Sequence, residues 1–289
     1  MTNHQPEQTL LQQMGIDTDS SPTVMGILNC TPDSFFEGSR KQTESDIAER
    51  AEQILTEGGR IIDVGAFSTR PGADEVSEEE EMRRMRNALS IIRRQHPDTI
   101  VSVDTYRPTV ARMAVEEYGA NIVNDVSEGG RTGITGKPLE GYADGIPEIF
   151  KEVARLRVPY ILMSVQADMD SMLRTFKEEV SILNALGLHD IILDPGYGFG
   201  KSVIEGNYAV LRRQGELRKA FPTLPVLAGI SRKRMIWQLL GGTAQDATAM
   251  QGTMLANLIA LQNGAGILRV HDVREAQHTI TLLKHAQQA

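Results

Sequence analysis

The chain is 289 residues long, 40% hydrophobic and 24% charged, an ordinary globular composition with material for a sizeable core. Its formal charge of −8 argues against nonspecific binding to nucleic acid or to an anionic membrane surface, since both rest on basic surface. No apolar run reaches the ~18 residues a bilayer span needs, the first residues lack the pattern of a secretory leader, and the single cysteine, Cys30, excludes an internal disulfide and fits a reducing cytoplasm.

Residues 1–22 are polar and without a strong period, and they read as an extension outside the core. From residue 24 onward, short β-branched runs alternate with longer stretches of helical spacing. A strand over 24–28 precedes a helix over 44–57, which Gly58-Gly59 can end as a C-cap. A strand over 61–64 precedes a helix from 77 to 95, where Ser77 opens the first turn and the glutamates at 78–81 suit its positive end. Strands then follow over 100–103, 121–123, 159–163, 191–193, 225–229 and 267–270. Between and after them the spacing predicts helices over 108–118, 147–157, 168–186, 205–220, 245–263 and 273–287. Eight strand–helix units with no composition break predict an α/β fold. The expected form is a single-domain (β/α)8 TIM barrel over 23–289, rather than an open doubly wound sheet. The polar, glycine-rich loops 37–43 and 128–145 follow strands on the expected active face, where mobile lids are common.

Almost every polar residue fit for chemistry comes directly after one of these runs. They are Asn29, the STRP stretch at 68–71, Asp104, Asn124 with Asp125, Ser164, Asp194, Ser231 to Lys233, and His271. A barrel brings the carboxyl ends of all its strands to one mouth, so residues far apart in sequence can share a pocket. Asp104, Asn124 and Asp194 could each cap a neighbouring loop. Together, two carboxylates and an amide suit a ligand with a donor-rich edge, such as a 2-aminopyrimidinone. Lys233, Arg269 and His271 supply the opposite charge, and the period-two spacing of Arg269 and His271 points both to the same side of the sheet. The string DPGYGFGK (194–201) has neither P-loop nor dinucleotide-fingerprint spacing. It reads as a loop whose glycines let backbone approach a flat ligand. Cys30 reads as a small packing residue.

The segments MGILNCTPDSF (25–35), STRPG (68–72), SVDT (102–105), NDVS (124–127), DPGYGFGK (194–201), SRK (231–233) and LRVHD (268–272) resemble the signatures of the dihydropteroate synthases, in family order over about 24–285. The resemblance implies condensation of 6-hydroxymethyl-7,8-dihydropterin diphosphate with 4-aminobenzoate to 7,8-dihydropteroate and diphosphate, assisted by Mg2+. It also suggests a homodimer, and an aminobenzoate pocket predicts that sulfonamides compete with 4-aminobenzoate. By the same resemblance, Asp104, Asn124, Asp194 and Lys233 hold the pterin, Arg269 stacks on it, and Phe199 and Gly229 line its pocket. Asn29, Arg269 and His271 meet the diphosphate, Asn29 through or beside Mg2+. Phe35, Thr69, Arg70, Pro71, Ser231 and Lys233 form the aminobenzoate pocket. The expected catalytic set is Asp104, Asn124, Asp194, Lys233, Arg269 and His271. Two places depart from the family pattern. SVQA (164–167) stands where a His-Met-x-Gly-like segment is usual, and Phe67 stands where a Glu often precedes STRP. A noncatalytic pterin-binding paralogue and a corrinoid-linked methyltransferase domain share the pterin floor. The methyltransferase needs neither the SRK segment, nor the loop at 69–71, nor a diphosphate site, and the paralogue is suggested by the altered segment at 164–167.

Overall fold

Apolar runs of at most seven residues, rich in Val, Ile and Leu, are too short for core helices, and they pair side by side when both faces can be covered. They do so here as β1 (Thr23–Asn29), β2 (Ile61–Gly65), β3 (Ile100–Asp104), β4 (Ile122–Asp125), β5 (Tyr160–Met163), β6 (Ile191–Asp194), β7 (Leu227–Ala228) and β8 (Ile267–Val270). The computed structural model describes residues 8–30, 40–67, 76–130 and 146–288, with the side chains of 40–43 excepted. All eight strands are parallel, in the order β6-β5-β4-β3-β2-β1-β8-β7. A parallel bridge between Leu193 and Val226 brings β6 against the start of β7 and closes the barrel.

The helices are α1 (Leu10–Gln13), α2 (Arg40–Thr56), α3 (Glu78–Gln95), α4 (Pro108–Tyr118), α5 (Glu148–Leu156), α6 (Met169–Ala185), α7 (Glu205–Arg213), α8 (Gly215–Ala220), α9 (Arg234–Leu240), α10 (Ala247–Gln262) and α11 (Val273–Gln288). Strand periodicity sorts the side chains. Ile62, Val64, Val101, Val103, Leu193 and Leu268 pack outward in the core shared with the helices. Met25, Ile61, Ile122, Ile161, Ile192, Leu227 and Ile267 point inward as a separate apolar layer. Two residues further along the same strands, the inward positions are Ile27, Asp63, Asn124, Met163, Asp194, Gly229 and Arg269. The barrel is thus apolar at its amino end and polar at its mouth.

Five expectations are corrected. The segment before β1 is not wholly outside the core: Leu11 and Ile16 are 4% and 2% exposed and complete the apolar inner layer from below. Asp190 accepts the Leu10 and Leu11 backbone N–H groups at 3.2 and 3.1 Å, and Arg60 donates to the Met14 and Gly15 carbonyls. A single turn of helix is too short to show a period, although it covers a floor that would otherwise meet water. The helix expected over 205–220 is two, broken at Gln214. There the Gln214 side chain leaves the surface, accepting from Tyr197 Oη at 2.7 Å and donating to the Ala260 carbonyl at 2.9 Å. Helix α2 starts at Arg40, inside the stretch expected as loop, and α9 was not anticipated. Asn29, Asp104, Asn124, Asp125 and Asp194 are the closing residues of their strands rather than the residues after them.

Candidate active site

The mouth is built from alternate positions of a few strands, and its deepest charge is Asp63, fully buried in β2. An isolated carboxylate there would be costly. Asp63 is met instead by Ser102 Oγ at 2.6 Å, Asn124 Nδ2 at 3.3 Å and Arg269 Nε at 2.6 Å. Arg269 reaches from β8 across the barrel and gives its Nη2 to Asp104 at 2.6 Å. Burial opposes the guanidinium charge, but Asp63 and Asp104 outweigh it and raise its pKa. Arg269 therefore clamps two carboxylates from neighbouring strands. In Asp104 burial raises the pKa, Arg269 pulls it down, and Asp63 pushes it up again.

The clamp leaves two acceptors unused. Asp104 Oδ1 and Asn124 Oδ1 are buried without a hydrogen-bond partner. They belong to paired residues of β3 and β4, side by side on the inner face. Across the mouth, one Asp194 oxygen accepts the Gly196 N–H at 2.8 Å. Burial raises the Asp194 pKa, and the Lys233 charge opposes that rise. A Cβ at Gly229 would meet Asp194 Oδ2 at 3.8 Å, so the missing side chain keeps that oxygen open to the mouth.

Lys233 lies over the Phe199 ring, its Nζ 4.7 Å from the ring centre, and donates to the Tyr197 carbonyl. Burial takes its pKa down to about 7 despite the Asp194 carboxylate nearby. Two glycines of the 194–201 loop also serve the packing of a neighbouring loop. Gly196 and Gly200 have φ of +66° and +65°, and an added Cβ would collide with the Ser164 and Val165 carbonyls. They admit the loop after β5.

On the side of β1 and β8, a cavity of about 410 Å3 is lined by Asn29, Arg50, Arg232 and His271 among others. Arg50 donates to the His271 carbonyl at 2.6 Å, while Arg232 grips Asp272 with both ends of its fork at 2.7 Å. Ser231 Oγ accepts the His271 backbone N–H at 3.1 Å and lies 3.1 Å from Nδ1. A hydroxyl so placed can give its hydrogen to Nδ1 in one ring tautomer or accept one from it in the other. Burial, reinforced by Arg269, lowers the His271 pKa to about 4, so the ring is neutral at physiological pH. It offers an N–H and no charge.

For the magnesium that the resemblance implies, no cluster of three His, Cys, Asp or Glu side chains able to hold a metal occurs among the described residues. Asn29 Oδ1 opens beside Gly65 and Asp104, 3.3 Å from where a Gly65 Cβ would stand. One amide oxygen fits Mg2+ only as a supplement to phosphate oxygens and water, a usual arrangement for this ion.

The chain matches the family model for pterin binding enzymes over residues 25–271. The dihydropteroate synthase of Escherichia coli (strain K12) is 36% identical, the match covering 92% of each chain. The chain belongs to the dihydropteroate synthases. Solved structures agree. Xanthomonas albilineans dihydropteroate synthase in complex with 7,8-dihydropteroate superposes with TM-score 0.77 at 32% identity, covering 94% of this chain and 95% of that one. The same enzyme with 4-aminobenzoic acid gives 0.79 at 34%, with the same coverage. Yersinia pestis dihydropteroate synthase in a sulfonamide drug complex gives 0.77 at 32%, covering 93% and 95%.

Of the residues expected at a dihydropteroate synthase site, Asn29, Asp104, Asn124, Asp194, Phe199, Gly229, Ser231, Lys233, Arg269 and His271 gather around the one mouth. Phe35, Thr69, Arg70 and Pro71 lie outside the described residues. Phe67 is buried edge-to-face against Tyr106, at 5.7 Å between ring centres. Sequence reasoning missed Asp63, Arg50 and Glu128. Asp63 did carry a signal, as a carboxylate inside an apolar run on the parity that faces inward. Arg50 carried none, being one of several charged residues on an amphipathic helix. Among the described residues no helix is long and apolar enough to cross a membrane.

Proposed function

We propose that the chain uses this mouth to condense 6-hydroxymethyl-7,8-dihydropterin diphosphate with 4-aminobenzoate, releasing diphosphate and 7,8-dihydropteroate. The observation that carries the assignment of the ring pocket is the pair of unpartnered buried acceptors, Asp104 Oδ1 and Asn124 Oδ1, facing Asp194 across the mouth. A buried acceptor with no partner is costly, and the donor-rich edge of a 2-amino-4-oxopterin removes that cost. Lys233 presents an N–H donor to the ring from above Phe199.

In the reaction the C–O bond between the exocyclic methylene and the diphosphate breaks, and the electron pair leaves with the oxygen. The methylene becomes cationic in conjugation with the electron-rich dihydropterin ring. The Asp63, Asp104 and Asp194 carboxylates are fixed around that ring before the charge develops, so little reorganisation is needed. His271, Arg50 and Arg232, which line the cavity, are assigned to the departing oxygens. Asn29 Oδ1 would help hold Mg2+, which would supply charge neutralisation for the leaving group. The amine of 4-aminobenzoate then attacks the methylene, forming the C–N bond and losing one proton. Ser231, Phe35, Thr69, Arg70 and Pro71 are assigned to its pocket.

The lone buried Cys30 supports a cytoplasmic location. Leu239 and Leu240 on α9, Leu255 and Ile259 on α10 and Leu282 on α11 are exposed apolar side chains on neighbouring helices, and they support a homodimer through this face; sedimentation of the purified chain tests it.

The deciding experiment mixes the purified protein with both substrates and Mg2+ and follows dihydropteroate. Product formation that a sulfonamide suppresses, with relief by excess 4-aminobenzoate, is the expected result. Pterin binding without product would overturn the reading.

A further inference from the structure

The loops after β4, β5, β6 and β7 form a continuous chain of contacts that begins at a buried glutamate which the reaction does not use. Glu128 is fully buried just after β4, with φ of 54°, a left-handed conformation unusual for a residue bearing a side chain. Its carboxylate accepts from Ser164 Oγ at 3.0 Å, from the Val165 backbone N–H at 3.3 Å and from Gln166 Nε2 at 2.8 Å. These three donors all lie in the short segment after β5. The other side of that segment is held by Lys201, whose Nζ donates to the carbonyls of Ser164 at 3.4 Å, Gly196 at 3.0 Å and Phe199 at 3.0 Å. The same Phe199 lies under the Lys233 ammonium, and Lys233 donates to the Tyr197 carbonyl.

We infer that Glu128 is a positioning residue for the pterin pocket, acting through Ser164 and Val165 and then Lys201 on the placement of Phe199 and Lys233. This rests on the pterin reading of the mouth given above. Several features make the chain of contacts stiff enough to transmit position. The carbonyls of Ser164 and Val165 press into the space that Gly196 and Gly200 leave by lacking a Cβ, so the two loops cannot shift independently. Lys201 is 9% exposed and spends its donors on three backbone carbonyls of two loops. Burial lowers its pKa to about 8, and the Asp194 and Glu128 carboxylates support its charge. Glu128 thus fixes the β5 segment by hydrogen bonds and helps hold the ammonium that ties that segment to the ring-bearing loop. None of these atoms borders the cavity beside Asn29 and His271.

A structural role alone would change stability and leave the substrates undistinguished, so the test separates the substrates. Glu128→Ala, Glu128→Gln and Ser164→Ala are compared with the natural protein for kcat, both KM values, melting temperature, and the Kd of the pterin diphosphate with Mg2+ and without 4-aminobenzoate. Glu128→Ala is expected to raise the pterin Kd and KM about tenfold, the loss of about one well-formed charged hydrogen bond. The aminobenzoate KM should stay within about twofold and kcat within about threefold. Glu128→Gln, which keeps one acceptor oxygen, should recover part of that loss. An unchanged pterin Kd, or an equal rise in both KM values, overturns the inference. If Glu128→Ala does not fold, Ser164→Ala removes one hydroxyl from the chain of contacts and must by itself raise the pterin Kd about twofold to threefold; no change there overturns it as well. Failure of the natural protein to make product would sink the proposed reaction, whereas the Kd comparison would still decide the role of Glu128.

Discussion

The floor and the mouth of this barrel are made by the same strands, two residues apart. Ile61 and Asp63, Ile122 and Asn124, Ile192 and Asp194, and Ile267 and Arg269 are successive inward positions of β2, β4, β6 and β8. The lower member of each pair joins an apolar layer sealed by Leu11 and Ile16. The upper member joins a network of charges whose acceptors are deliberately incomplete, in that Asp104 and Asn124 each keep a bare oxygen. The floor gains free energy from apolar burial and has no polar group to satisfy. The mouth is held at a cost, since charges taken from water repay their desolvation only when they are paired. A parallel barrel can therefore divide stability from chemistry by height along a strand. Substitutions at the two heights should separate cleanly.

The largest expected effect is on turnover at the mouth. Lys233→Ala removes the cation shared by Asp194, Phe199 and the Tyr197 carbonyl, and kcat/KM for the pterin substrate should fall about a thousandfold. Because a buried ammonium costs desolvation, the melting temperature should fall little. Steady-state kinetics alongside calorimetric melting measure both, and near-normal kcat/KM would remove Lys233 from the site.

Asp63→Asn should move both quantities, because it breaks one half of the Arg269 clamp. Losing one partner of a buried pair costs about 3–5 kcal/mol of stability, and kcat/KM should drop about a hundredfold as Arg269 and Asp104 lose their fixed geometry. Denaturant titration and kinetics on the same preparation check this. A stable variant with unchanged kinetics would make Asp63 a bystander. One level lower, Ile192→Ala should cost about 3 kcal/mol by leaving a cavity in the floor. Turnover per folded molecule should stay within about twofold. A large kinetic loss there would show that floor and mouth are coupled after all.

How much of this was readable in the chain differs between the two heights. The runs that make the strands announce themselves by β-branched composition, and the polar residues closing them stand out by contrast. That is why Asp104, Asn124, Asp194 and His271 were found. Asp63 was hidden by the opposite circumstance: it lies within an apolar run, and only counting parity from Ile61 would have exposed it. The floor's lower seal was hidden because one turn of helix has no period, and its partner Asp190 is distant in sequence. Glu128 was hidden because the donors that tie it to the site, Ser164, Val165 and Gln166, come from the loop after the next strand. Sequence neighbours reveal what a strand end presents, whereas tertiary neighbours decide what holds it in place.

The smallest effect, a shift with pH, still separates the two heights. In the folded state burial holds Lys233 near a pKa of about 7, against 10.5 for an ordinary lysine. Above about pH 7 the folded protein therefore loses a proton that the unfolded chain keeps, so stability should rise with pH until about pH 9, where unfolded Cys30 begins to ionise while the folded thiol stays protonated up to about 12. Over the same window the free enzyme loses the ammonium, and kcat/KM for the pterin substrate should decline on the alkaline side of about pH 7. Stability and activity thus move in opposite directions across one interval. His271 cannot supply the break, because its ring is already neutral above about pH 4. Lys233→Arg, whose charge persists through this range, should flatten the alkaline limb at whatever residual activity remains, while Ile192→Ala should leave it in place. A limb that survives in the Lys233→Arg protein would assign the titration to another group near the mouth, Asp104, raised to about 7, or Lys201, lowered to about 8.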